Sequence, residues 1–170
     1  MEIRPLWLVR VFVALRQEQH MGVRLQRVIE GFPDYVTFGL HLCRGNFRSA
    51  WLFNGTLEPV AERIFNELRY DVFLVEWEDT EREGDYSPLR HVPPGPIVAL
   101  GAVSSKFGRL ESQDAVIRAL EEASRYLDIE QLALSTQCGF ASEATGNRLA
   151  EDEQWRKLDL IGAVADRVWG

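Results

Sequence analysis

The chain has 170 residues, 46% of them apolar and 26% charged, with a net charge of −7. This is the composition of one globular domain, and its 5 Trp, 4 Tyr and 9 Phe argue against a disordered chain. The acidic balance argues against nucleic acid as a partner, and the apolar run Leu6–Leu15, broken by Arg10, is too short to span a bilayer. Two cysteines make no disulfide framework, so a soluble protein of the reducing cytoplasm, with no membrane partner, is expected.

In chain order, residues 6–29 read as helix, with Gly22 as its weak point. A near-continuous apolar run, Val36–Leu40, predicts the first strand. Leu57–Leu68 predicts a helix, with Pro59 in its first turn and Val60, Ile64, Phe65 and Leu68 on one stripe. Val72–Val75 is the second strand. The stiff loop Pro93-Pro94-Gly95-Pro96 leads into the third, Ile97–Leu100. Ser112 caps a helix to Leu127, Leu132–Leu134 is the fourth strand, and Asp152–Trp169 is a last helix.

The strand starts lie 36, 25 and 35 residues apart, room for one crossover helix per interval. The predicted fold is therefore α/β: a helix, then about four parallel strands with crossover helices, in an open sheet or part of an eight-fold barrel. No glycine-rich phosphate loop follows the first strand, which argues against a dinucleotide site.

The residues able to do chemistry sit where the strands end. His41 and Cys43 are two apart in extended chain and share one face; Glu76 closes the second strand; Cys138 follows the fourth. In a parallel array those ends form one rim. Two thiolates, an imidazole and a carboxylate make a zinc shell, and their charges, −3 against +2, make an electron-rich centre able to hold an incoming thiol as thiolate. The plainer reading is two small buried cysteines and a strand-end salt bridge. His20 and His91, in polar surroundings, read as surface residues.

The motifs His41-Leu42-Cys43-Arg44-Gly45-Asn46, Leu74-Val75-Glu76, Gln137-Cys138-Gly139-Phe140-Ala141-Ser142, Gly146-Asn147 and Asp152-Glu153-Gln154-Trp155 resemble the cobalamin-independent methionine synthase family. The nearer match is its shorter single-barrel methyltransferase branch, over residues 33–170. The resemblance implies the C-terminal half of a (β/α)8 TIM barrel, with 1–170 as a single partial-barrel, zinc-binding catalytic domain. It implies zinc on His41, Cys43, Glu76 and Cys138, and methyl transfer from a methylated folate to the thiol of homocysteine, giving methionine. Arg44 and Gln137 are the candidate substrate-binding residues. For Arg44 the competing reading is a polar cap on the Gly45 turn.

Two departures follow. Residues 6–29 read as helix, so no upstream strand offers the carboxylate with which the family recognises homocysteine. Lys106 stands where full-length synthases carry a catalytic His, as the single-barrel branch commonly does. It reads either as a solvated loop lysine or as the catalytic proton donor and anion-binding group, and an ordinary pKa of about 10.4 would tune it poorly as a donor at neutral pH. The alternatives are a thiol alkyltransferase with another donor or acceptor (coenzyme M-type) and a truncated, non-catalytic zinc-binding half-barrel. Four units cannot close a barrel, and Phe38, Leu40, Phe73 and Val98 would lack an opposing layer. A homodimer, or a complex with a separate N-terminal barrel half, is therefore expected.

Overall fold

The computed structural model describes residues 6–12, 21–52, 55–78, 80, 84–141 and 144–170, with the backbone alone for 6–12 and 21–24. Five strands form one all-parallel sheet in the order β1-β2-β3-β4-β5: Leu6–Phe12, Thr37–Cys43, Val72–Glu76, Ile97–Val103 and Leu132–Thr136. The helices are α1 (Met21–Ile29), α2 (Glu58–Glu67), α3 (Gln113–Ala123) and α4 (Glu151–Trp169). Consecutive parallel order with intervening helices is the arrangement of a (β/α) barrel sector.

The four expected strands are present, each extended by one to three residues at its carboxyl end. The helix expected over residues 6–29 is not. Leu6–Phe12 is a strand, paired with β2 from Leu6 opposite Thr37 to Phe12 opposite Cys43, and among the described residues of that span the helix is Met21–Ile29. A seven-residue run that is apolar but for Arg10 satisfies either period, and here Trp, Val and Phe, good strand formers, decide it once a free edge of β2 is available. Between β3 and β4 the described residues include helical Thr80, whose carbonyl accepts the Gly84 N–H at 2.9 Å, and a five-residue 3₁₀ turn, Ser87–His91.

Alternation sorts the sheet into two faces. Leu40, Leu42, Phe73, Val75, Val98 and Leu100 are buried beneath the helices. Phe73 meets Phe65 of α2 edge-to-face at 5.1 Å. Val116 and Leu120 of α3 and Leu160 and Val164 of α4 belong to the same core. This corrects the expectation for Phe38, Leu40, Phe73 and Val98: all four are buried on the helix-covered side. On the other face lie Thr37, His41, Val72, Leu74 and Ile97, half-buried. Which parity the helices cover is not contained in the alternation itself.

Ser112 caps α3, its side chain accepting the Ala115 N–H. Gly101 is the position in β4 where bulk is forbidden: a Cβ there would lie 2.8 Å from the Val75 carbonyl and 2.9 Å from Gln137 Cα. That close approach brings the ends of β3 and β5 together around Glu76 and Gln137. No helix among the described residues is long and apolar enough to cross a membrane.

Candidate metal centre

His41 and Cys43 project from the same face at the end of β2, and Cys138 lies two residues beyond β5. Their ligating atoms lie within 4.8 Å of one another, with His41 Nε2 3.5 Å from Cys138 Sγ. One ion with bonds of about 2.0–2.3 Å would bridge that span after small side-chain movements. Two sulfurs and an imidazole are soft donors of the kind zinc prefers, so the residues fit a zinc-type ion. All three are half-buried, reachable by a small ligand yet shielded.

The sulfurs are electrostatically one unit. The Cys138 thiol donates to Cys43, and this outweighs burial; with His41 alongside, it draws the Cys43 pKa down to about 4. Cys138 is pushed up by the Cys43 sulfur and by burial, with Glu76 adding to the rise. The pair therefore holds one proton between two sulfurs, the proton a metal would displace.

The loops fix Cys138 from both sides. Its N–H reaches Ser105 Oγ at 3.3 Å, and its carbonyl accepts the Thr136 hydroxyl at 2.8 Å. Asn147 Nδ2 donates to the carbonyls of Ser105 (2.9 Å) and Gly139 (3.3 Å), tying the segment beyond β5 to the one beyond β4.

Glu76 stands beside this cluster, since the register of Leu42 with Val75 sets it next to Cys43. It is buried and heavily bonded. Oε2 accepts the Arg44 N–H at 2.8 Å; Oε1 accepts from Lys106 Nζ at 3.2 Å, from the Arg44 guanidinium at 3.4 Å and from Gln137 Nε2. Burial alone would raise its pKa, but the Lys106 charge and the Arg44 contacts hold it below the usual carboxylate range. In this arrangement Glu76 serves the cations, while the clustered donor atoms are those of His41, Cys43 and Cys138.

Lys106 is fully buried, which rules out the solvated loop lysine. Its ammonium bridges Glu76 and Glu78, each at 3.2 Å, and lies 5.4 Å from the Trp51 ring centroid. Arg44 also donates to the Gly55 carbonyl at 3.0 Å. Gln137 is buried, and its Oε1 has no partner among the described residues. His91 is half-buried at the end of the 3₁₀ turn, its carbonyl accepting from Asn66, while His20 and Ser142 lie outside the described residues. Sequence reasoning missed Glu78, Trp51 and Ser105. Glu76 and Glu78 are two apart, which was a usable signal; the other two carry none.

No family model matches the sequence. Two curated relatives from Bacillus subtilis (strain 168), the uncharacterized proteins YxjG and YxjH, are 47% and 44% identical over 138 residues. That alignment takes in 81% of this chain and 36% of each relative, so the chain spans about a third of their length. A solved structure from Listeria monocytogenes, named as a candidate vitamin-B12-independent methionine synthase, is 32% identical with a TM-score of 0.68. It matches over 89% of this chain and 41% of its own. A B12-independent methionine synthase from Shewanella sp. W3-18-1, solved with selenomethionine, shares the fold at 21% identity and a TM-score of 0.69. It matches over 86% of this chain and 42% of its own. The chain is thus an α/β partial barrel similar to enzymes of the methionine synthase type.

Proposed function

We propose that residues 1–170 are the metal-bearing sector of a zinc-dependent thiol methyltransferase, transferring a methyl group from a methylated folate to homocysteine. The observation that carries this reading is the convergence of His41, Cys43 and Cys138 at one strand-end rim, beside buried Glu76 and Lys106. Zinc bound there would supply the positive charge that keeps an incoming thiol ionised at neutral pH. Glu76, next to Cys43, is the fourth donor on this reading.

The remaining roles belong to the chain's own side chains. In the transfer the substrate sulfur forms a bond to the methyl carbon, the methyl–nitrogen bond breaks, and the nitrogen keeps the electron pair and takes a proton. Lys106, held between Glu76 and Glu78 beneath Trp51, would give that proton. The open Oε1 of Gln137 suits the ammonium of an amino-acid thiol. Arg44 would meet the substrate carboxylate by turning from the Gly55 carbonyl. The missing barrel strands would come from a second copy or a separate N-terminal half, and a reducing cytoplasm would keep both thiols free.

The test is methionine formation from homocysteine and 5-methyl folate by the zinc-loaded chain, alone and as the oligomer it forms. Zinc-dependent turnover that Cys138→Ser abolishes is expected. Equal turnover without zinc, or in that variant, would overturn the reading. Lysine rather than histidine at position 106 favours one parallel arm, the same assay with other methylated nitrogen or sulfur donors.

A further inference from the structure

Ser104-Ser105-Lys106, just beyond β4, touches the rim at both Cys138 and Glu76. Ser105 accepts the Cys138 N–H, and Lys106 holds Glu76 and Glu78. Ser104 Oγ in turn accepts the Lys106 N–H at 3.2 Å. What fixes this segment arrives from outside the site. Glu111 Oε1 accepts the Ser104 N–H at 3.0 Å, and both oxygens of Glu111 are gripped by Lys157 Nζ, at 3.1 and 2.9 Å. The same ammonium donates to the Arg109 carbonyl at 2.7 Å.

Lys157 is wholly buried on the inward face of α4, where Leu160 and Val164 fill the neighbouring positions with hydrocarbon. A buried ammonium is costly, and an apolar residue would serve packing as well or better. The helix is also docked tightly on this loop. Gly108 lies so close to the Glu153 carboxylate that any Cβ there would overlap it. Glu153 and Lys157 are one turn apart on the same helix face.

We propose that Lys157 is a positioning residue for the metal centre. It clamps Glu111, which pins Ser104, so that Ser105 and Lys106 are presented to Cys138 and Glu76 in one fixed arrangement. Lys157 itself touches neither the metal donors nor Glu76. The inference rests on the metal reading above, and it adds a residue that acts through two intermediaries.

The experiment measures zinc affinity of the full chain by competition with a chromophoric chelator. Lys157→Met should weaken binding about 10–100-fold, the usual effect of removing an outer support, while still reaching the wild-type zinc content at saturation. Glu111→Gln, which keeps shape and removes charge, should do the same, and the double variant should be no worse than either alone. Val164→Ala is the control: it opens a cavity on the same buried helix face and lowers the melting temperature, yet should leave zinc affinity within about twofold. Amide exchange at Lys106 and Cys138 should quicken in Lys157→Met without metal. Wild-type affinity in both Lys157→Met and Glu111→Gln would overturn the inference and leave the metal reading standing. So would an equal loss in Val164→Ala. If Lys157→Met does not fold, Glu111→Gln alone decides. Failure of the wild-type chain to take up zinc would overturn the metal reading, and this inference with it.

Discussion

The two faces of the sheet are built from the same strands and do opposite work. Beneath the helices, Leu40, Phe73, Val98 and Leu100 meet Phe65, Val116 and Leu120 in a continuous apolar layer. The strand-end rim instead gathers His41, Cys43, Glu76, Lys106, Gln137 and Cys138, five of them ionisable groups, all buried or half-buried. The apolar layer sets how stable the sheet is, and any residue of suitable volume serves it. The rim depends on the identity of each donor and on the loops that aim it. The predictions below separate those dependences.

The largest expected effect is on the rim alone. Cys43→Ser together with Cys138→Ser removes both sulfurs, and zinc affinity should fall by at least about a thousandfold, measured by chelator competition. Metal-free stability should change little, since both side chains are half-buried and small. Phe73→Ala is the converse. It empties a fully buried site against Phe65 and should cost about 3–5 kcal/mol in denaturant unfolding, with the zinc content of the folded protein unchanged.

Lys106→Met would blur the division. It leaves Glu76 and Glu78 side by side without the ammonium between them, Arg44 still pairing Glu76 at 3.4 Å, and should cost about 3 kcal/mol. The loss should depend on pH. Because the folded Glu76 pKa is depressed, its contribution is fully present above the ordinary carboxylate range and is lost as pH falls through the lower folded value. The gap between wild type and Lys106→Met should therefore narrow in acid, read by denaturant midpoints across that range. The smallest effect is expected far from both faces. Ser112→Ala removes the α3 cap and should cost about 1 kcal/mol, with zinc affinity untouched.

Strands β2 to β5 were legible because each contains a short, near-continuous apolar run. β1 was not, because six apolar residues around Arg10 fit a helix equally until a pairing partner is known. The three clustered donors were legible because an H-x-C pair and a Cys lie at strand ends, where a parallel topology forces convergence. The depth of Lys106 was not, since it comes from three separate loops closing over one side chain: Trp51 from one, Glu78 from another and its own backbone from a third. Lys157 lay further out of reach, reading as a polar position on an amphipathic helix until Glu111, 46 residues away, is seen to claim it.

Zinc-edge X-ray absorption on the zinc-loaded chain tests the central claim most directly. The account predicts two sulfur scatterers at about 2.3 Å with nitrogen or oxygen completing the shell, and loss of one sulfur in Cys138→Ser. A shell of nitrogen and oxygen alone, with no sulfur at bonding distance, would contradict it.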